Sequence, residues 1–112
     1  MRRHEFEEVV DRTLESLPDW VLDTIDNLVV VVEEEPAADQ GDLLGVYDGV
    51  SLLERGDYFG VMPDRIVIFR RPHLELGLDR NELEAEIRKT VLHELAHHLG
   101  IDDERLTGLG WD

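Results

Sequence analysis

The chain has no cysteine, which excludes disulfide bonds, thiolate catalysis and cysteine-ligated metal sites. Long apolar runs are also missing: the longest, residues 28–32, has five residues, whereas a membrane-spanning helix needs about twenty. The basic pair Arg2–Arg3 is followed by acids rather than by an apolar stretch, so the N-terminus does not resemble a secretion signal. We therefore expect a cytoplasmic protein that does not bind membranes.

Positive charge is scarce. Eleven basic residues stand against 27 acidic ones, a formal net charge of −16. Such a surface repels phosphate backbones, so nucleic acid is a poor partner, and the excess charge is adequately explained by solubility. With 112 residues, 42% hydrophobic and 34% charged, the composition is that of one globular domain with a modest core. The sequence does not indicate an oligomeric state.

The order of predicted elements is that of an α+β protein. Residues 4–27 have the apolar spacing of a helix, and Pro18 should divide it into a long and a short one. Residues 28–32 are a run of strand-forming residues without alternation, which predicts a central strand covered on both faces. Residues 43–50 are a candidate second strand. Residues 63–72, bounded by prolines, predict a third strand. The prolines are compatible with a sheet edge, and if the strand lies there an extended substrate could pair with it.

The most regular pattern predicts a long helix over residues 79–99. Asp79 stands three residues before Glu82, the spacing of a capping box, and Gly100 stands where a helix-ending glycine belongs. The apolar positions recur at three- and four-residue spacing and are Leu83, Ile87, Val91, Leu92, Leu95, Ala96 and Leu99.

Residues 93–97, HELAH, place two histidines and a glutamate in this helix. His93 and His97 differ by about 40° in direction and about 6 Å in height, so both imidazoles can reach one ion. Glu94 projects beside them, where it can accept the proton of a metal-bound water, and imidazole suits zinc. Five histidines and fourteen glutamates would give this pattern by chance about 0.03 times per chain. An accidental motif is therefore disfavoured.

A catalytic zinc site normally takes a third protein ligand. Gly100 can leave the helix with a positive φ, after which the chain turns back toward the ion. Asp103, six residues after His97, is the predicted third ligand, and Asp102 and Glu104 are the alternatives.

The remaining histidines have less specific interpretations. His98 is about 140° from His93 around the helix, so it should pack or form supporting hydrogen bonds rather than share the ion. His73 follows the third strand and is expected to be a surface histidine in a loop, the alternative being a donor to a neighbouring reaction site. His4 carries no specific prediction.

The run HELAHHLGIDD resembles the extended H-E-x-x-H-x-x-G-x-x-D motif of zincin metalloproteases. With RIVIFRRP before it and the helix GLDRNELEAEIRKTV leading into it, the last fifty residues or so resemble the small bacterial zincin-like metallopeptidase family. This resemblance implies a minimal zincin fold over residues 1–112 as one domain, with an N-terminal helix, a small sheet of about three strands and a C-terminal active-site helix. It also implies zinc held by His93, His97 and Asp103, with Glu94 as general base.

The function expected from these residues is zinc-dependent hydrolysis of peptide bonds in a peptide or protein substrate, through a zinc-activated water deprotonated by Glu94. The alternative is a zinc-stabilised binding or regulatory module with little or no proteolytic activity. The short chain favours that alternative, because it leaves little surface to hold a peptide. The methionine turn of metzincins is absent after Asp103, and Met62 is a candidate substitute.

Overall fold

The computed structural model describes residues 1–25, 27–49, 63–101, 104, 105 and 108. Its elements in chain order are α1 (Arg3–Glu15), α2 (Asp19–Thr24), β1 (Leu28–Glu33), a 3-10 turn (Ala38–Gln40), β2 (Gly45–Asp48), β3 (Asp64–Phe69), α3 (Arg70–Leu74) and α4 (Arg80–Leu99). The α+β architecture expected from the sequence, with three strands between N-terminal helices and a long C-terminal helix, is confirmed. Within the described residues, no helix is both long and apolar enough to cross a bilayer.

The N-terminal helical region divides at Pro18, as predicted. The α1 helix ends at Glu15, and Pro18 stands at the N-cap of α2 with an extended backbone (φ −60°, ψ 151°). Proline has no N–H to donate, so it fits a helix start and not a helix interior. Ser16 does not cap α2; its hydroxyl donates to the Thr13 carbonyl at 2.8 Å and so completes the end of α1.

The predicted central position of the first strand was wrong, and the third strand does not lie at the edge that substrate pairing would require. The order is β1-β3-β2, so β3 is central, pairing in parallel with β1 and antiparallel with β2. Among the described strands β1 lies at an edge, and Val29 in it is 41% exposed. A run of valines favours strand structure at any position in a sheet, so the run alone could not locate β1.

The prolines around β3 did not mark an edge strand. Pro63 precedes the strand, and Pro72 lies in α3, so neither would interrupt a hydrogen-bonded ladder. Both faces of β3 are buried: Ile66 and Ile68 belong to the main core, and Val67 lies on the opposite face with 6% exposure. Because both edges of β3 are already paired, a substrate cannot add to this strand.

The long helix α4 crosses the protein between α1 on one side and β2 and β3 on the other. The Asp79 side chain accepts the Glu82 N–H at 2.9 Å, which caps its start as predicted. Gly100 ends it in the left-handed region (φ 75°), and the Ile101 N–H reaches the Ala96 carbonyl at 2.9 Å. The core around the helix consists of Phe6, Val9, Val10, Leu17, Val21, Val32, Ile66, Ile68, Leu83, Ile87, Val91, Leu92, Leu95, Ala96, Leu99 and Ile101.

Polar contacts attach α1 to its neighbours at both ends. Arg12 pairs with Glu84 of α4 at 2.7 Å. The Arg3 guanidinium donates to the Val32 carbonyl of β1 and lies 3.5 Å from the Glu34 carboxylate. These contacts hold the helix over the edge strand.

Candidate metal centre

His93 and His97 face the same side of α4 near its C-terminal end. Both side chains are exposed, and their ring centroids are 4.9 Å apart with an interplanar angle of 67°. The regular helix therefore produces the convergence that a four-residue spacing predicts.

Glu94 lies between the two histidines along the chain but points into the protein. Its exposure is 6%, and its Oε1 is 3.3 Å from His97 Nδ1. Burial raises the pKa of Glu94, while His97 and His93 act in the opposite direction. A carboxyl group whose pKa is raised toward neutrality, beside two imidazoles, has the properties of a residue that accepts and returns a proton.

Gly45 of β2 allows α4 to approach the sheet at this point. A Cβ on Gly45 would stand 2.8 Å from Thr90 Cγ2 and 3.4 Å from Glu94 Cγ. Gly45 pairs in register with Ile68, so its role is close helix–strand packing.

The donor atoms of the three residues suit a zinc ion. One ligand atom each from His93, Glu94 and His97 lies within 4.8 Å of the others, the only such group of three in the described part of the chain. In a tetrahedral zinc site with bonds of about 2.0–2.1 Å, ligand atoms are roughly 3.4 Å apart. Two imidazoles are donors that zinc favours, and the Glu94 carboxylate lies beside them, within reach of a metal-bound water.

A cleft of about 530 Å³ opens next to these residues. It runs between the segment leading into β2 and the outer side of α4, and both His93 and Glu94 line it. Its other lining residues are Asp42, Leu43, Leu44, Gly45, Glu86, Lys89 and Thr90. This volume lies within the range of about 300–1,000 Å³ that is usual for ligand pockets.

His98 lies away from the histidine pair, as its helical position predicted. It is fully buried, and its Nδ1 is 3.0 Å from Asp64 Oδ2 on β3. Tyr47 of β2 donates its hydroxyl to the same Asp64 oxygen. No sequence pattern singles out Tyr47 or Asp64, because they come from different strands and meet His98 only in the folded protein.

His73 is not the surface histidine expected from the sequence. It is fully buried in α3; its Nδ1 is 2.7 Å from the Phe69 carbonyl, and its Nε2 is 2.8 Å from Thr90 Oγ1. Burial lowers the pKa of His73, and its Nδ1 donates to the Phe69 carbonyl while its Nε2 contacts the Thr90 hydroxyl. With both ring nitrogens engaged in the core, His73 is not placed to donate to a substrate.

Three residues of the predicted site lie outside the described part of the chain. They are Asp103, which was the predicted third ligand, Asp102, and Met62. Glu104 is described; it is exposed and does not belong to the group formed by His93, Glu94 and His97. The turn at Gly100 that should direct the chain back toward the ion is present.

Comparisons with a family model and with solved structures found similar proteins. The model of a family described as zincin-like metallopeptidase matches residues 25–111. Among solved structures, a conserved hypothetical protein from Thermo thermophilus is similar, with 27% identity, a TM-score of 0.59, and coverage of 96% of this chain and 99% of that chain. No curated protein matches the chain with significance.

Proposed function

Because this chain belongs to the zincin-like metallopeptidase family, we propose that it is a zinc-dependent peptidase that hydrolyses peptide bonds. In this proposal residues 1–112 form one domain. His93, His97 and Asp103 hold the zinc, and Glu94 is the general base.

The observation that carries the proposal is the convergence of three side chains, two of which line a cleft. His93, Glu94 and His97 offer ligand atoms within 4.8 Å of one another, and His93 and Glu94 also line the cleft of about 530 Å³. A catalytic zinc site needs a position that is open to substrate, and a cleft beside the centre supports such access.

Zinc bound at such a centre supplies a Lewis acid that makes water more acidic and polarises a carbonyl group. Glu94 supplies the proton transfer: one of its Oε atoms takes a proton from the attacking water and returns it to the leaving amine. Its burial favours this role, because the raised pKa of Glu94 brings the carboxyl group closer to neutral pH.

The substrate would lie in the cleft between residues 42–45 and α4. Leu43 and Leu44 give this wall an apolar character, and Leu43 is 41% exposed. Among the described strands β2 pairs with β3 alone, so a peptide could run along its other side. The β2 side of the sheet thus replaces β3 as the proposed place of substrate binding.

The test is zinc content together with chelator-reversible cleavage of an unstructured protein. Glu94→Gln should bind zinc and lose nearly all hydrolysis, because it keeps the shape of the side chain but cannot accept the proton. Glu8→Gln, an exposed position on α1, is the charge-matched control and should cleave normally.

Three other results would contradict parts of the proposal. Full activity in Glu94→Gln would remove Glu94 from the mechanism. Zinc binding without cleavage, in spite of an accessible cleft, would support the zinc-stabilised binding module instead. No zinc binding at all would overturn both functions.

A further inference from the structure

Three polar side chains from three different elements meet beneath the last turn of α4. Tyr47 of β2 donates its hydroxyl to Asp64 Oδ2 of β3, and the same oxygen lies 3.0 Å from His98 Nδ1 of α4. Tyr47 Oη is also 3.4 Å from His98 Nδ1. His98 is fully buried and Asp64 is 2% exposed. Tyr47 is half-buried. We refer to Tyr47, Asp64 and His98 as the polar triad.

Placing the polar triad in the protein interior costs desolvation free energy. A carboxylate removed from water loses its hydration, and hydrogen bonds must replace it. Apolar side chains of similar volume often give equal or greater stability at such positions. Stability by itself therefore does not account for the triad, whereas its directional hydrogen bonds can fix one orientation of α4 against the sheet.

The triad adjoins the candidate metal centre on two sides. His98 directly follows His97 in α4, and the Tyr47 ring is 6.4 Å from the His97 ring, centroid to centroid. A helix is rigid over one residue, so the direction of the His98 side chain sets the direction of the His97 side chain about 100° away around the axis.

We propose that Tyr47, Asp64 and His98 are positioning residues that fix the rotation of α4 and thereby aim His97 at the metal. This inference rests on the proposed function. A helix rotation of about 10° moves a Cα by about 0.4 Å and the more distant ring nitrogen by more, whereas metal–ligand distances tolerate roughly 0.2 Å. Hydrogen bonds that link the last turn of α4 to β2 and β3 would keep the helix in one rotational orientation.

Gly49 confines the carboxyl group of Asp64 from the other side. A Cβ on Gly49 would stand 2.4 Å from Asp64 Cγ and 2.5 Å from Asp64 Oδ1. The backbone after β2 therefore packs directly on the acid that His98 contacts. Any side chain at this position would displace Asp64 and pull on α4 through His98.

The test compares zinc affinity in two variants that reach the triad differently. Tyr47→Phe removes one hydroxyl, and Gly49→Ala pushes on Asp64. Both should weaken zinc binding by on the order of tenfold, the lower end of the usual cost of disturbing the support of metal ligands. Affinity is measured by competition with a chelating dye, and the visible spectrum of bound cobalt(II), which accepts the same ligands, reports the geometry.

Thr13→Val is the control for a purely structural effect. Thr13 is 3% exposed and donates to the Val9 carbonyl within α1. Its replacement should lower stability while leaving zinc affinity and the cobalt spectrum unchanged.

If Tyr47→Phe and Gly49→Ala lose stability but bind zinc as the wild type does, the positioning role is overturned while the peptidase proposal stands. If the wild type binds no zinc, or binds it without His93 and His97, both proposals are overturned together.

Discussion

Gly45 of β2 and Thr90 of α4 are in such close contact that a Cβ at position 45 would stand 2.8 Å from Thr90 Cγ2. Real Cβ atoms do not approach other carbon atoms this closely, so the separation of helix and strand depends on glycine at this position. Because Glu94 is one helical turn beyond Thr90, the same contact sets the depth in the cleft of Glu94, the proposed general base.

Gly45→Ala should push α4 away from β2. The expected loss of unfolding free energy is about 1–3 kcal/mol, the usual cost of overpacking. The rate of hydrolysis should also fall under conditions where the variant remains folded, because Glu94 moves with the helix. Urea unfolding and the peptidase assay measure the two effects. Gly108→Ala is the matched control, since nothing lies within 4 Å of a Cβ there.

Asp103→Asn tests the predicted third ligand. If Asp103 binds the metal, zinc affinity should fall by more than about a hundredfold, the upper limit for changes to supporting residues around a metal. Asp102→Asn and Glu104→Gln remove the same charge from neighbouring positions and should change affinity little. The largest loss in either of those variants would assign the third ligand to that residue instead.

His73 should make stability depend on pH. Burial lowers the pKa of His73 below its usual 6.5, although the Phe69 carbonyl and Glu86 act in the opposite direction. As the pH falls below about 6.5 the unfolded chain takes up this proton more readily than the folded protein does, so stability is complete above that pH and declines beneath it.

The contribution of His73 is tested by measuring the free energy of unfolding of the wild type and two variants between pH 8 and pH 5. His73→Gln keeps hydrogen-bonding atoms but does not titrate, so its stability should decline less steeply than that of the wild type. His4→Gln, at an exposed position, should retain the wild-type slope. Equal slopes in all three proteins would show that His73 is protonated as readily in the folded state as in the unfolded chain.

Zinc should raise the melting temperature. Free zinc at a hundred times its dissociation constant stabilises a folded protein by about 2.7 kcal/mol, which corresponds to roughly 10 °C for a domain of this size. The rise should persist in Glu94→Gln and disappear in His93→Ala and His97→Ala. If Glu94→Gln also lost it, Glu94 would be a ligand rather than a base.

The sequence predicted best those features that depend on neighbouring residues. The cap at Asp79 and the end at Gly100 lie within a few residues of the helix they delimit, and the structure has both. The pairing of His93 with His97 follows from helix geometry alone. The break at Pro18 is equally local, because proline acts on its own turn of backbone.

Features that depend on distant contacts were predicted poorly. The place of β1 in the sheet is decided by its pairing with β3, across the chain, and a run of valines does not encode it. His73 was expected in a surface loop because it follows the predicted third strand, yet its environment is completed by Thr90, seventeen residues away. Asp64 and His98 are 34 residues apart, so their contact has no local pattern.

The bond between Arg3 and the Val32 carbonyl has a consequence for the behaviour of the protein in concentrated solution. Consecutive valines on an exposed border are the kind of segment that recruits identical segments from other molecules into fibrils. The Arg3 guanidinium occupies one of the backbone acceptors that such recruitment needs. Proteolytic removal of the first few residues, including Arg3, should therefore leave the edge of β1 uncovered and increase aggregation.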